Sequence, residues 1–132
     1  MEWEDTDVIP LLVCRDIAAE HDFLVRALGF ESGGIERTPD GDVVHAEVRV
    51  GSRRVWLHRT DPGGGLVPPE QSKSAGGGIV VHVPDVDAHH ARALEAGATI
   101  EYPPRDEEYG QREYGVRDPE GHLWWIATPF AD

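Results

Sequence analysis

Histidines and carboxylates carry the widest chemistry in this chain. His58 sits two residues from Trp56 in one strand-like run, so the two share a face, and His82 likewise shares a face with Gly78 in another. Two imidazoles with a carboxylate such as Glu47 are a donor set for a divalent metal. Either imidazole alone is a candidate general base, or a polar wall residue that only makes hydrogen bonds. Arg112 and Tyr114 share a face in the run Gln111 to Arg117. The guanidinium can hold a carboxylate or carbonyl by paired hydrogen bonds, or form an ion pair with Asp118, Glu113 or another carboxylate of the chain. Trp124 and Trp125 are neighbours in a strand-like run, so one indole joins a core and the other faces elsewhere.

Other chemistries find no support. Cys14, the one cysteine, excludes an intrachain disulfide and a thiolate-cluster metal site, and its apolar surroundings point to an inert thiol. Ser32, Ser52, Ser72 and Ser74 lie in turn or linker composition with no nucleophile elbow. The glycine triplets are not followed by Gly-Lys-Ser/Thr, so no phosphate loop is read. Asp106-Glu107-Glu108 read as solvated loop charges, and His89 as a surface histidine off the apolar stripe of its helix. His90 falls on that stripe as a packing residue, and His122 has the wrong parity to share a face with Trp125.

The elements that would position these residues repeat. An apolar run from Val8 to Cys14 leads to Asp16, a helix N-cap, and then to Ile17, His21, Leu24 and Leu28 at helical spacing, stopped by Gly29. Near the middle, Ile79 to Val83, Asp85, then Val86, His90 and Leu94, and finally Gly97 repeat the sequence of signals. Strand signals follow each helix. They cover Gly33 to Thr38, Val43 to Val50 and Arg53 to Arg59, then Thr99 to Tyr102, Gln111 to Arg117 and Leu123 to Thr128. The turn Asp118-Pro119-Glu120-Gly121 closes the last hairpin. The prediction is an α+β fold of two βαβββ modules in a single domain over 1–132, with modules at about 7–60 and 77–129. A Gly- and Pro-rich linker covers about 61–76 and reads equally as a connector or as a flap over a site.

The 132 residues are long enough to bury a core, and the net charge of −13 argues against nucleic acid and anionic membranes as partners. No apolar run is long enough to span a membrane. The acidic start Met-Glu-Trp-Glu-Asp has no signal-peptide pattern, so a cytoplasmic location is expected.

The paired modules resemble the vicinal oxygen chelate superfamily, which includes glyoxalase I, bleomycin-resistance proteins and extradiol dioxygenases. The resemblance covers nearly the whole chain. It rests on Asp16-Ile17 through Phe23-Leu24 to Leu28-Gly29-Phe30, on His45-Ala46-Glu47-Val48, and on Gly110-Gln111-Arg112 with Asp118-Pro119-Glu120-Gly121-His122 and the tryptophans beyond. It implies mixed sheets curled around a cleft. Its metal-dependent members carry His, Glu or Gln ligands on the first and fourth strands of each module. The matching positions here are Ile9, Trp56, Gly78 and Trp125, none of which ligates a divalent ion, so no metal and no cofactor are expected. The bleomycin-resistance members are similar in lacking a metal, and they sequester a large, planar, cationic antibiotic in a groove of a homodimer. The resemblance therefore implies metal-independent binding and sequestration of a small-molecule ligand by a homodimer. Trp56 and Trp125 would stack on the ligand from opposite sides of the cleft, with His58, His82, Arg112 and Tyr114 along it. The alternatives are a metal-dependent lyase, isomerase or dioxygenase with a shifted ligand set, a metal-free enzyme using His58 or His82 as base, and a filled core with no ligand.

Overall fold

A computed structural model describes residues 2–131, so the outermost residues of the expected domain, Met1 and Asp132, lie outside the described residues. The elements run β1 (Leu11–Cys14), α1 (Ile17–Arg26), β2 (Glu31–Arg37), β3 (Val43–Val50) and β4 (Arg53–Arg59). A one-turn α2 (Pro69–Ser72) follows, then β5 (Gly78–His82), α3 (Val86–Glu95), β6 (Thr99–Glu107), β7 (Gln111–Arg117) and β8 (Leu123–Pro129). Two four-stranded mixed sheets result, in the orders β1-β4-β3-β2 and β5-β8-β7-β6. The first strand of each runs parallel to the last, and the remaining pairs are antiparallel. These are the two βαβββ modules of an α+β fold. Among the described residues, no helix is long and apolar enough to cross a membrane.

Local chemistry accounts for the element boundaries. Asp16 caps α1 by accepting from Ala19 N at 3.0 Å, and Asp85 caps α3 by accepting from Ala88 N at 3.1 Å. After the helices the chain turns through Gly29 (φ +76°) and Gly97 (φ +84°), a left-handed conformation that costs a glycine little. Ile17, His21 and Leu24 of α1, and Leu28 just past its end, are all buried, as their spacing predicts. In α3 the stripe is rotated. Val86 and Ala93 are buried while Leu94 is 57% exposed. His89, expected at the surface, is instead half-buried and bonded through Nδ1 to Tyr114 Oη (2.7 Å) and through Nε2 to Leu28 O (2.8 Å). His90 packs edge-on against the Tyr114 ring.

Strand alternation puts Ala46, Val48, Val55 and Leu57 of the first sheet, and Tyr114, Val116, Trp124 and Ile126 of the second, into one continuous core under the helices. Phe30 and Trp124 join the two halves, ring centroids 5.4 Å apart. Polar contacts tie the same joint. Arg26 donates to Ala96 O (2.9 Å), Arg92 donates back to Arg26 O (3.2 Å), and Glu120 accepts from the N–H groups of Arg15 and Asp16 (3.0 and 2.8 Å). The segment between the modules is also pinned: Pro68 is buried and Glu70 N donates to Glu120 O at 2.9 Å.

The His89 contacts carry a pH dependence. Burial, assisted by the Arg92 charge and opposed by the Leu28 carbonyl, lowers its pKa below the ordinary 6.5. Below that pH the unfolded chain therefore binds more protons at this site than the folded protein. Stability contributed by neutral His89 is present above pH 6.5 and is lost as the pH falls toward the lower folded value. Urea midpoints measured from about pH 7 to about pH 5 should fall more steeply for the native protein than for His89→Gln. Parallel curves would show that His89 is not held neutral.

Candidate functional site

On the side of each sheet away from the helices lies a recess walled by an indole. In the first sheet, β4 presents Arg54, Trp56 and His58, and β3 presents His45, Glu47 and Arg49. The register sets Glu47 opposite Trp56 and His45 opposite His58. Trp56 Nε1 donates to Glu47 Oε1 at 2.9 Å, Arg49 Nε donates to Glu47 Oε2 at 3.2 Å, and the Arg54 guanidinium lies 5.8 Å from the indole centroid. The Trp56 hydrogen bond, ahead of the Arg49 contact, holds the Glu47 carboxyl below its ordinary range, so it is anionic at neutral pH. His45 meets the indole edge-on at 5.3 Å. Glycine at position 33 is a steric requirement here, because a Cβ would lie 2.4 Å from Glu47 Oε2. The recess, about 210 Å³, is lined by Gly34, Ile35, Glu36, His45, Glu47 and Trp56 among others.

In the second sheet a recess of about 470 Å³ is lined by Val80, Tyr102, Arg105, Tyr109, Gln111, Glu113 and Trp125. Glu113 is its electrostatic centre, accepting from the Tyr102 and Tyr109 hydroxyls and from Gln111 Nε2 at 3.0 Å. Burial pushes the Glu113 carboxyl up, but these three donors outweigh it and hold it below its ordinary value. Arg105 stacks 3.9 Å from the Tyr102 ring centroid. His82, on the edge strand β5, meets Gln111 Oε1 through Nε2 at 3.0 Å.

The geometry sorts the residues singled out in the sequence. Trp125 lies on the recess side while its neighbour Trp124 is fully buried. Trp56, His58 and Glu47 share one recess-side face, and His82 belongs to the other sheet, so these donors do not converge within one chain. Trp56 and Trp125 do not face each other across one cleft of the chain either, since their recesses share no lining residue. Arg112 and Tyr114 are corrected to the helix side of the second sheet. Along β7 the residues Gln111, Glu113 and Gly115 face the recess, so residues 112 and 114 point the other way. Tyr114 is fully buried beneath α3, and Arg112 pairs with Asp87 and Asp106, each at 3.1 Å.

Tyr102, Arg105, Tyr109 and Glu113 were missed in the sequence. Pro103-Pro104 reads as a strand end at Tyr102, yet β6 continues to Glu107 as an edge strand. A bulge between Ile100 and Tyr102 turns Tyr102 from the core side to the recess side, opposite Gly115. The signal that was available is that glycine, because a Cβ there would lie 2.8 Å from the Tyr102 ring.

The superfamily's metal positions do not fit an ion in this chain. A ligating side chain at position 78 would collide with Trp125, since even a Cβ there would fall 2.6 Å from the indole. Among the described residues, three metal-ligating atoms come together only at Cys14, Glu20 and His122, on neither recess.

Comparison with known proteins agrees with this architecture. Residues 8–126 match the glyoxalase/bleomycin resistance protein/dioxygenase superfamily. Uncharacterized proteins of Mycobacterium tuberculosis and Mycobacterium bovis are each 37% identical over 125 residues, covering 91% of this chain and 72% and 81% of theirs. The crystal structure of TioX from Micromonospora sp. ML1 is similar at 34% identity and a TM-score of 0.74, covering 95% of this chain and 99% of that one. The bleomycin-binding protein of bleomycin-producing Streptomyces verticillus, solved with copper(II)-bleomycin, is 28% identical with a TM-score of 0.67 over 97% of this chain and 98% of that one. With the family model matched over nearly its whole length, the chain belongs to the glyoxalase/bleomycin resistance protein/dioxygenase superfamily.

Proposed function

We propose that this protein binds and sequesters a planar, cationic small molecule without a metal, as a cytoplasmic homodimer. Trp56, Trp125, His58 and His82 are its ligand contacts. The observation that carries this reading is the pairing of an indole with a buttressed carboxylate in both recesses, Trp56 with Glu47 and Trp125 with Glu113. An indole face attracts cations and flat rings, each contact contributing roughly 0.5–1.5 kcal/mol beyond area burial, and an anionic carboxylate alongside selects positive charge. The Streptomyces verticillus relative, seen in complex with copper(II)-bleomycin, supports a ligand of that class. Sequestration makes and breaks no covalent bond; it lowers the free concentration of the ligand.

A homodimer would supply what one chain lacks, a face-to-face arrangement of the two indole recesses. Apolar side chains on and before the edge strands support it: Val8 is 80% exposed, Leu11 44% and Val80 54%. Light scattering during size-exclusion chromatography is expected to give twice the 14.6 kDa chain mass.

Titration of tryptophan fluorescence with copper(II)-bleomycin and a panel of planar cationic antibiotics tests the ligand class. Saturable quenching by at least one compound is expected, weakened about tenfold in Trp125→Ala and in Trp56→Ala, the size of one lost stacking contact. No quenching by any compound, with both variants equally inert, overturns the reading.

A further inference from the structure

We infer that Cys14, Glu20 and His122 form a zinc-type divalent metal site at the joint between the two modules, on the helix side of the sheets and apart from both indole recesses. Cys14 ends β1 and is 1% exposed, Glu20 lies on the inner face of α1 at 0%, and His122 follows the turn between β7 and β8. The thiol sulfur, a Glu20 carboxylate oxygen and a His122 ring nitrogen all lie within 4.8 Å of one another. Three atoms so spaced have a common point no more than about 2.8 Å from each (4.8 Å divided by √3). From that bound, closure by about 0.5–0.8 Å reaches zinc–ligand distances of about 2.0–2.3 Å.

A second observation points to a cation. Both Glu20 oxygens are buried and neither has a hydrogen-bond donor. A buried carboxyl without a donor is costly to ionise, and the side chains nearest it are themselves carboxylates, Asp118 and Glu120. Asp118 Oδ1 accepts from the N–H groups of Glu120 and His122, and its Oδ2 from Trp124 Nε1. Glu120 spends its two oxygens on the N–H groups of Arg15 and Asp16. Glu20 thus sits in the negative field of two carboxylates whose donors are all committed. Burial, then the contact with Asp118, then the Asp118 and Glu120 charges push the Glu20 carboxyl upward; burial and then the carboxylate charges, Glu20 first, push the Cys14 thiol upward, so a metal-free site keeps both protonated.

A divalent ion resolves these costs together. Thiolate, carboxylate and neutral imidazole balance its charge to zero, and binding releases the two protons to solvent. His122 Nε2 meets Val13 O at 2.9 Å, a contact that in the neutral ring leaves the lone pair on Nδ1, and such a carbonyl contact is the usual support of a ligating histidine. Mixed sulfur, nitrogen and oxygen donors favour zinc over magnesium or calcium. The ion would clip β1 and α1 of one module to the last hairpin of the other.

Zinc chloride added to the full-length, metal-stripped protein tests this. One equivalent per chain should be retained through desalting, with Tm raised by about 5 °C or more. Cobalt(II) in place of zinc should give a thiolate charge-transfer absorption, a readout that does not depend on a variant folding. Glu20→Gln and His122→Gln should lose zinc retention and the Tm response. Failure to retain zinc together with no cobalt–thiolate band overturns the inference, as does a Glu20→Gln protein that responds to zinc as the native one does. None of these readouts involves the recess ligand, so the result is independent of the proposed function.

Discussion

Replacing Trp124 with alanine is expected to lower the unfolding free energy by about 3–5 kcal/mol, whereas the same change at Trp125 costs about 1 kcal/mol or less. The two residues are adjacent and chemically identical, so the contrast isolates strand parity. Trp124 is fully buried, packs on Phe30 and donates from Nε1 to Asp118 Oδ2 at 2.8 Å. Its removal opens a cavity at an aromatic contact that joins the modules. It also strips a donor from Asp118, a carboxylate 5% exposed. Trp125 has one side toward the recess and loses mainly surface contact. Urea titration of both variants, followed by far-ultraviolet circular dichroism, gives the comparison: a large drop in midpoint for Trp124→Ala at unchanged m, and a small one for Trp125→Ala. Equal midpoints would mean that the hairpin register differs by one residue from the one described, since one slip exchanges the two faces.

That register was legible in the sequence because the turn fixes it. Asp118-Pro119-Glu120-Gly121 admits one hairpin closure, with Gly121 at φ +88°, and parity then assigns every residue of β8. The duplicated caps at Asp16 and Asp85 were legible for the same reason, since capping is a local interaction. Parity was also sufficient to separate Arg112 and Tyr114 from Trp125, because Tyr114 pairs directly with Ile126, a core residue, and Trp125 with Gly115. The resemblance drew them toward the cleft, but their strand faces did not.

What stayed hidden depends on breaks in periodicity or on long sequence separation. The bulge after Ile100 redirects Tyr102 with no local signature beyond an edge strand containing two prolines; the glycine that admits its ring, Gly115, lies on the next strand. Cys14, Glu20 and His122 meet across more than a hundred residues of chain, and nothing local to any of them signals the others. Glu20 even disguises itself: by residue type a glutamate reads as solvent-facing, although its position falls on the buried face of α1 with Ile17 and Leu24.

Gly78→Ala is expected to impair the second recess more than any exchange of a residue that lines it. By the resemblance this is the fifth-strand position where metal-dependent members keep a ligand, and here it holds no side chain at all. A Cβ at Gly78 would lie 2.5 Å from the Leu123 carbonyl oxygen and 2.6 Å from Trp125 Cζ3. The carbonyl belongs to the β5–β8 pairing, where Gly78 sits opposite Leu123, and cannot move without loosening that edge. The indole therefore has to swing out of its place in the recess wall. The backbone clash should cost about 1–3 kcal/mol of stability. Displacement of Trp125 should weaken binding of a quenching ligand at least as much as Trp125→Ala, since the indole is then misplaced and obstructing rather than merely absent. The measurements are a urea midpoint and a fluorescence titration on the same variant, with Trp125→Ala/Gly78→Ala as the control. If the indole causes the binding defect, the double variant binds no worse than Trp125→Ala alone. A Gly78→Ala protein with native midpoint and native affinity would show that the glycine is not what admits the tryptophan, and the steric account of the lost metal position would fail with it.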